Sequence, residues 1–372
     1  MKHHSALLAA LFAASFSCVR ASSPPVATPS ATTAVAADAA PVTAAADAAT
    51  DAAAAPTVAT PAPLPASFVP GALMNVLTYG NDRWAVLAPV TDGEEWHEGD
   101  AQLIERTEAV VTRANVRRAA VPPALLALDG AEVTLGGRGA STCRATLRGL
   151  AVLSRQVVHF GTSQRWDGEL PDGTRGPHAT PAQIASDAWG QGMLLVARVE
   201  APANCGEDDY ARLASLPAST AFVHENADAA LTRRVLERYR ALPAWRTLEG
   251  QYHDNGGTRG RRWDEHGDEH PTVTVWHAQG ATKRYVVVNA TTAVGGCAEF
   301  NGSLWAVFEA EGATLTLRTD GTTEESFSPI AAVDTDGDGA PEFVLLDGTV
   351  KLTEGAYRRS LSIAPPNHDC PC

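Results

Sequence analysis

Short apolar or alternating stretches, separated by turn signals, fill most of the sequence after residue 66. The stretch from Thr314 to Arg318, for example, alternates polar and apolar residues as a half-buried antiparallel strand does. Dipeptides that end in glycine favour tight hairpin turns between the stretches, among them Asp129-Gly130, Glu311-Gly312, Asp320-Gly321 and Asp347-Gly348. The sequence therefore predicts a mainly β protein of the α+β class, built on an antiparallel, sandwich-like β-sheet domain.

One segment has helical rather than strand periodicity. Its apolar residues recur at the spacing of one helix face, namely Leu231, Val235, Leu236, Tyr239 and Leu242. Asn226 or Asp228 can cap the start of this helix, and Pro243 predicts its end. We therefore expect one amphipathic helix here, whereas residues 101–114 fit a helix and a strand equally well.

The N-terminus has the features of an export signal. A basic start is followed by an apolar run, Ala6 to Phe16, that is too short to span a bilayer. The run ends in Ser15-Phe16-Ser17-Cys18, which resembles the lipobox of bacterial lipoproteins. The resemblance implies that residues 1–17 are a signal peptide, and that Cys18 is lipidated and anchors the protein to a membrane.

The alternative is ordinary secretion, with cleavage after Ala21. Both interpretations predict a protein outside the cytoplasm. Because Val19 is not the aspartate that retains such lipoproteins at an inner membrane, the resemblance favours a lipoprotein of the outer membrane or cell surface. A secreted or periplasmic protein is the alternative.

Residues 18–66 consist almost entirely of Ala, Pro, Thr, Ser and Val and contain no aromatic residue. Such a segment cannot bury enough apolar surface to offset the entropy of ordering, so we expect a disordered linker. The rest divides into a β-rich part at 67–225 and a second part at 226–372 with the helix and further strands. A net charge of −14 argues against nucleic acid as a partner.

Five cysteines follow Cys18: Cys143, Cys205, Cys297, Cys370 and Cys372. Outside the cytoplasm, disulfides are the default for such residues. Their distribution predicts one bridge between Cys143 and Cys205, and a second from Cys297 to either Cys370 or Cys372. A metal or redox site at the terminal Cys-Pro-Cys is less favoured, because zinc sites need two such pairs.

The sharpest motif is the acidic stretch from Asp334 to Glu342, which lies between two apolar runs. Four carboxylates alternate along it, and Gly339 permits a sharp turn. Oxygen ligands at this density favour a hard divalent cation, most plausibly Ca²⁺. The alternative is a solvated turn rich in Asp and Gly.

The stretch resembles the calcium hairpins of FG-GAP (integrin-type) propeller repeats. That resemblance implies five ligands for Ca²⁺, which are the carboxylates of Asp334, Asp336, Asp338 and Glu342 and the carbonyl of Ala340. An EF-hand is excluded, because position 12 of such a loop would be Leu345 instead of glutamate. No internal repeat indicates a propeller, so we expect the ion to stabilise one β-hairpin.

The string His266-Gly267-Asp268-Glu269-His270 matches the H-x-x-E-H pattern of zinc peptidases. That chemistry requires both histidines on one helix face, and Gly267 and the following Pro271 argue against a helix. We therefore expect an exposed loop instead of a metallopeptidase site.

These features predict a membrane-tethered, exported lipoprotein with a calcium-stabilised, β-rich binding domain and no recognisable catalytic motif. The partner would be an unidentified protein or glycan. The alternative is an exported hydrolase whose catalytic residues are scattered through the sequence.

Overall fold

A computed structural model describes residues 71–90, 96–107, 109–138, 142–157, 166–168, 174–190, 192–206, 208–267, 270–294, 300–322 and 327–363. The predicted signal peptide, Cys18 and the linker lie outside these residues. So do Cys297, Cys370, Cys372 and Glu269.

Two antiparallel sheets dominate the described residues, as the sequence predicts. The first sheet contains β1 Met74–Tyr79, β2 Asp82–Pro89, β3 His97–Arg106, β4 Ala109–Val116, β5 Glu132–Gly136, β6 Thr142–Val157, β7 Leu194–Glu200 and β8 Tyr210–Leu213. The second contains β9 Thr220–Asn226, β10 Thr272–Ala278, β11 Arg284–Val294, β12 Phe300–Glu311, β13 Thr314–Gly321, β14 Pro329–Asp334, β15 Glu342–Leu345, β16 Gly348–Thr353 and β17 Ala356–Ser362. Residues 101–114, whose sequence fits a helix and a strand equally well, contribute to two strands, β3 and β4.

Within the described ranges, the sheets are accompanied by helices α1 Pro123–Leu126, α2 Pro181–Ala188, α3 Ala229–Arg240 and α4 Pro243–Asp254. Short 3₁₀ turns lie at Arg118–Ala120 and Trp263–Glu265. The expected amphipathic helix is α3, and the carboxylate of Asp228 caps it by accepting the N–H of Leu231 at 2.8 Å. Pro243 does follow the end of α3, but it also begins α4, which was not expected. Proline favours the first turn of a helix because its missing N–H would have no partner there.

The first sheet closes on itself through the long strand β6. This strand pairs with β5 and then β4 along one edge, and with β7 along the other. The order β6-β5-β8-β1-β2-β7 therefore returns to β6 as a ring of six strands. Leu195 of β7 points into the ring and packs in the same cluster as Leu147 of β6. Its neighbours on β7, Leu194 and Val196, face outward and pack with Ile363.

The second sheet is open, with the order β13-β12-β11-β10-β9-β14-β15-β16-β17. On strand β11, Val286 and Val288 pack beneath α3 and α4. Val287 points the other way, into a cluster rich in aromatic rings that includes Trp276 and Phe343. The helices therefore cover one face of the β10–β12 region, and the aromatic cluster fills the opposite face.

The two sheets pack directly against each other. Tyr210 of β8 lies in an apolar cluster with Ala331 and Val333 of β14 and Val344 of β15. The buried amide of Asn75 donates hydrogen bonds to the carbonyl oxygens of Leu345, at 2.7 Å, and Gly348, at 3.2 Å. This contact fixes the β14–β15–β16 region, which carries the acidic loop, against the first sheet.

Candidate metal centre

The acidic loop connects β14, which ends at Asp334, to β15, which begins at Glu342. Gly337 and Gly339 both have left-handed backbone angles, with φ of 81° and 79°, which residues other than glycine rarely adopt. Asp334 accepts the N–H of Gly337 on Oδ1 at 2.6 Å and that of Gly339 on Oδ2 at 2.9 Å. These bonds wrap the loop around the Asp334 carboxylate.

The loop brings three of the predicted ligands together. One carboxylate oxygen from each of Asp334, Asp336 and Asp338 lies within 4.8 Å of the others. Within the ranges that the structure describes, this is the one group of three or more His, Cys, Asp or Glu side chains that could hold a metal ion. Asp334 is only 6% exposed, whereas the other two aspartates reach solvent. The cluster therefore has a buried base and an open side.

Like charges at this separation repel one another, by roughly 4 kcal/mol per close pair at an effective dielectric constant of 20. Backbone N–H groups offset part of this repulsion. Asp338 Oδ1 accepts the N–H of Ala340 at 2.7 Å, and Asp336 Oδ1 accepts that of Asp338 at 3.3 Å. A divalent cation would offset far more, and a donor set made only of oxygens suits a hard cation.

Glu342 stands apart from the three aspartates and is only 5% exposed. Its Oε2 accepts the N–H of Thr335 at 2.8 Å, and its Oε1 lies 3.3 Å from Nζ of Lys351. Burial raises the pKa of Glu342, although the Thr335 N–H and the Lys351 charge oppose the shift. Glu342 and Ala340 do not belong to the cluster of three carboxylates. Their role as metal ligands therefore remains a prediction.

Lys351 also contacts the acidic loop, although the motif does not include it. Its ammonium group donates to Asp336 Oδ2 at 2.7 Å, and this hydrogen bond lowers the pKa of Asp336 and raises that of Lys351. The observed hairpin register explains this contact. Phe343 of β15 pairs with Val350 of β16, so the preceding residue, Glu342, faces Lys351 across the hairpin. The predicted turn at Asp347-Gly348 would instead place Lys351 opposite Val344, because the observed two-residue turn is Leu346-Asp347.

Neighbouring strands hold the loop from two sides. Tyr285 of β11 donates its hydroxyl to the carbonyl of Gly339 at 3.0 Å, and Arg212 of β8 donates to that of Thr335 at 3.1 Å. Burial, with smaller contributions from Glu309 and the loop aspartates, raises the pKa of Tyr285 to about 12.

The buried hydroxyl of Tyr357 has no hydrogen-bond partner among the described residues. Burial raises its pKa, and the charges of Asp338 and Glu342 add to the shift.

The predicted disulfide between Cys143 and Cys205 is present, with a Cα–Cα distance of 5.8 Å. It connects the start of β6 to the segment that follows β7, and therefore lies on the first sheet. The predicted pairing of Cys297 with Cys370 or Cys372 falls outside the described residues.

The H-x-x-E-H string shows no zinc-binding arrangement in its described residues. Nδ1 of His266 lies 2.8 Å from the hydroxyl of Tyr252, and His266 follows the 3₁₀ turn Trp263–Glu265 instead of lying in a longer helix. His270 is exposed and directly precedes the segment that leads into β10.

No family model, curated protein or solved structure matches the chain. Of the helices in the described ranges, none combines the length and the apolar character that crossing a membrane would need.

Proposed function

We propose that this chain is an exported lipoprotein, tethered through Cys18, whose β-rich domain binds one structural Ca²⁺ and presents a surface to a protein or glycan partner. The single observation that carries the metal part is the convergence of Asp334, Asp336 and Asp338. The lipid anchor is supported by the Ser15-Phe16-Ser17-Cys18 motif and by the linker composition.

Calcium fits this cluster better than the smaller magnesium ion. Mg²⁺ requires near-ideal octahedral geometry, whereas Ca²⁺ accepts six to eight oxygens in flexible arrangements. The loop offers three clustered carboxylates, the backbone carbonyl of Ala340 and an open side for water. Ca²⁺ bound there would be held by Asp334, Asp336 and Asp338, with Ala340 and Glu342 as further ligands. Its role would be to offset repulsion between carboxylates and to fix the β14–β15 hairpin.

We expect EDTA to lower the melting temperature of the protein, and added Ca²⁺ to restore it, because the ion binds the folded state. Asp336→Ala should abolish the difference between EDTA and Ca²⁺. Asp320→Ala, which changes an exposed aspartate of β13 outside the loop, should keep it. Differential scanning calorimetry measures these shifts. Equal melting of the native protein in EDTA and in Ca²⁺ would refute the calcium site.

The anchor has its own test. Intact mass spectrometry of the protein purified from its native membrane should give a mature chain that begins at Cys18 and carries acyl groups. A Cys18→Ala variant should lose the added mass and leave the membrane fraction. An unmodified N-terminus at Ser22 would instead show secretion with cleavage after Ala21.

A further inference from the structure

A cleft of about 1050 Å³ lies between the two sheets, away from the acidic loop. The β1–β2 turn and the segment before β8 form its walls on the first sheet, and the β15–β16 turn forms its wall on the second. The residues that matter for its chemistry are Leu77, Tyr79, Arg83, Arg155, Asp208 and Leu346. This volume is large enough for a small organic ligand.

Arg155 lines the cleft, and among the described residues no carboxylate neutralises its charge. The residue is only 4% exposed, and no carboxylate oxygen of the described residues lies within ion-pair distance of it. Its guanidinium donates to the hydroxyl of Tyr79 at 3.3 Å and to the carbonyl of Ile363, and its buried Nε has no partner. Buried charges are normally paired, because desolvating an unpaired ion is costly.

The other charged groups along the cleft are better matched. Arg83 pairs with Asp208 at 2.6 Å, and Asp347 pairs with Arg359 at 3.1 Å. Asp209 also lines the cleft and contributes a negative charge. A cationic ligand is therefore the alternative that an experiment must distinguish from an anionic one.

An apolar surface lies beside Arg155. Leu346, at the β15–β16 turn, is 70% exposed, and it lines the cleft together with Leu77 and Ile330. Among the described residues, Leu346 and Leu317 are the large apolar side chains that remain exposed. A buried guanidinium without a carboxylate partner in the described ranges, next to an exposed apolar surface, complements a molecule with an acidic head and an apolar body.

We propose that this cleft binds a small amphipathic carboxylate. The carboxylate pairs with the guanidinium of Arg155, and the apolar body covers Leu77, Ile330 and Leu346. This proposal goes beyond the proposed function and rests on neither the lipid anchor nor the calcium loop. A failure of the proposed function would therefore leave the ligand proposal intact, and the reverse also holds.

Three probes that share one alkyl chain separate the contributions: octanoate, octanol and octylamine. Isothermal titration calorimetry of the full chain, below the concentrations at which the probes form micelles, should show saturable binding of octanoate. It should show weaker binding of octanol and still weaker binding of octylamine. Arg155→Met should weaken octanoate roughly tenfold or more, because charged hydrogen bonds are lost, and should leave octanol unchanged. The matched control Arg148→Met removes an exposed arginine from the same strand and should change neither.

Leu346→Ser provides a variant in which misfolding is not a concern, since Leu346 is exposed. It should weaken octanoate and octanol alike, by roughly threefold, because it removes apolar surface common to both. The proposal is overturned if octanoate does not bind saturably, if octylamine binds as tightly as octanoate, or if folded Arg155→Met binds octanoate as the native protein does. It is also overturned if Leu346→Ser leaves octanoate affinity unchanged.

Discussion

Asp334 organises the acidic loop at the scale of single residues. Its two carboxylate oxygens accept the N–H groups of Gly337 and Gly339, while the carboxylates of Asp336 and Asp338 lie close by. The same side chain thus shapes the loop and contributes to the charge that a cation would neutralise. This dual role explains why the loop needs glycine at two positions, because only a left-handed backbone there turns both N–H groups inward.

We expect Glu342 to give the loop a pH-dependent contribution to stability that differs with and without bound metal. Its pKa in the folded protein is raised above an ordinary value of 4.5. Without metal, the stability that Glu342 contributes is therefore fully present below pH 4.5 and declines as pH rises through the folded pKa. We expect Glu342→Gln to be more stable than the native protein at pH 7 in EDTA, by on the order of 1 kcal/mol, and to lose this advantage at pH 4.

In excess Ca²⁺ at pH 7, the order should reverse, because the variant has lost a charged ligand. Urea unfolding under the three conditions measures each difference. A variant that is less stable than the native protein in EDTA at both pH values would show that the charge of Glu342 is favourable without metal. Glu98→Gln, an exposed change on β3, is the matched control and should have no effect under any condition.

The three aspartates could be predicted from the sequence because they are close along the chain and a single turn brings them together. The roles of Lys351, Tyr285 and Arg212 could not be predicted from the motif. Each belongs to another strand, and its distance from the loop depends on strand register and on the packing of one sheet against the other.

Among the elements, the two long helices are connected to the 3₁₀ turn Trp263–Glu265 through Asp264, whose side chain is 0% exposed. Its Oδ2 accepts hydrogen bonds from Nε of Arg240, at 2.9 Å, and from the indole of Trp245, at 3.2 Å. One carboxylate thus links α3, α4 and the 3₁₀ turn that follows them. The sequence periodicity predicts α3, whereas it does not predict α4, because Pro243 alone indicates the end of a helix as readily as the start of one.

Arg240→Met should destabilise the protein by about 3–5 kcal/mol, because it leaves the buried Asp264 carboxylate without its cationic partner. Adding Asp264→Leu should recover part of the loss, since the unpaired charge is then removed. Arg238→Met, on the exposed face of the same helix, should change stability by less than about 0.5 kcal/mol. Urea unfolding compares the variants, and equal stabilities of the two single variants would contradict this role for Asp264.

At the scale of the whole molecule, β6 connects the first sheet by pairing with β4, β5 and β7. Short strands and turns in the sequence predicted a mainly β fold and antiparallel pairing. They did not predict the closed ring, because it depends on contacts such as β1 with β8 and β6 with β7, which join segments far apart in the chain. A bulge between Arg148 and Leu150 interrupts the register of β6 where it pairs with β7.

The disulfide stabilises this ring by restricting the unfolded chain. Cys143 and Cys205 are separated by 62 residues, and the chain-entropy model gives about 4 kcal/mol for a loop of this length. The double variant Cys143→Ala/Cys205→Ala should therefore lose about that much unfolding free energy in urea. The single variant Cys143→Ala should lose a similar amount, because one cysteine cannot form the bridge alone. An unchanged midpoint in the double variant would show that the bridge contributes nothing.

The central position of β9 affects the order in which the second sheet can be completed during synthesis. One edge of β9 pairs with β10, which follows after the two helices, while the other edge pairs with β14, more than a hundred residues later in the chain. Until β14 pairs with β9, that second edge presents unpaired backbone N–H and C=O groups. Such groups can pair with another chain, which leads to aggregation. Since the acidic loop directly follows β14, this edge of β9 becomes paired at the stage when the loop can also form.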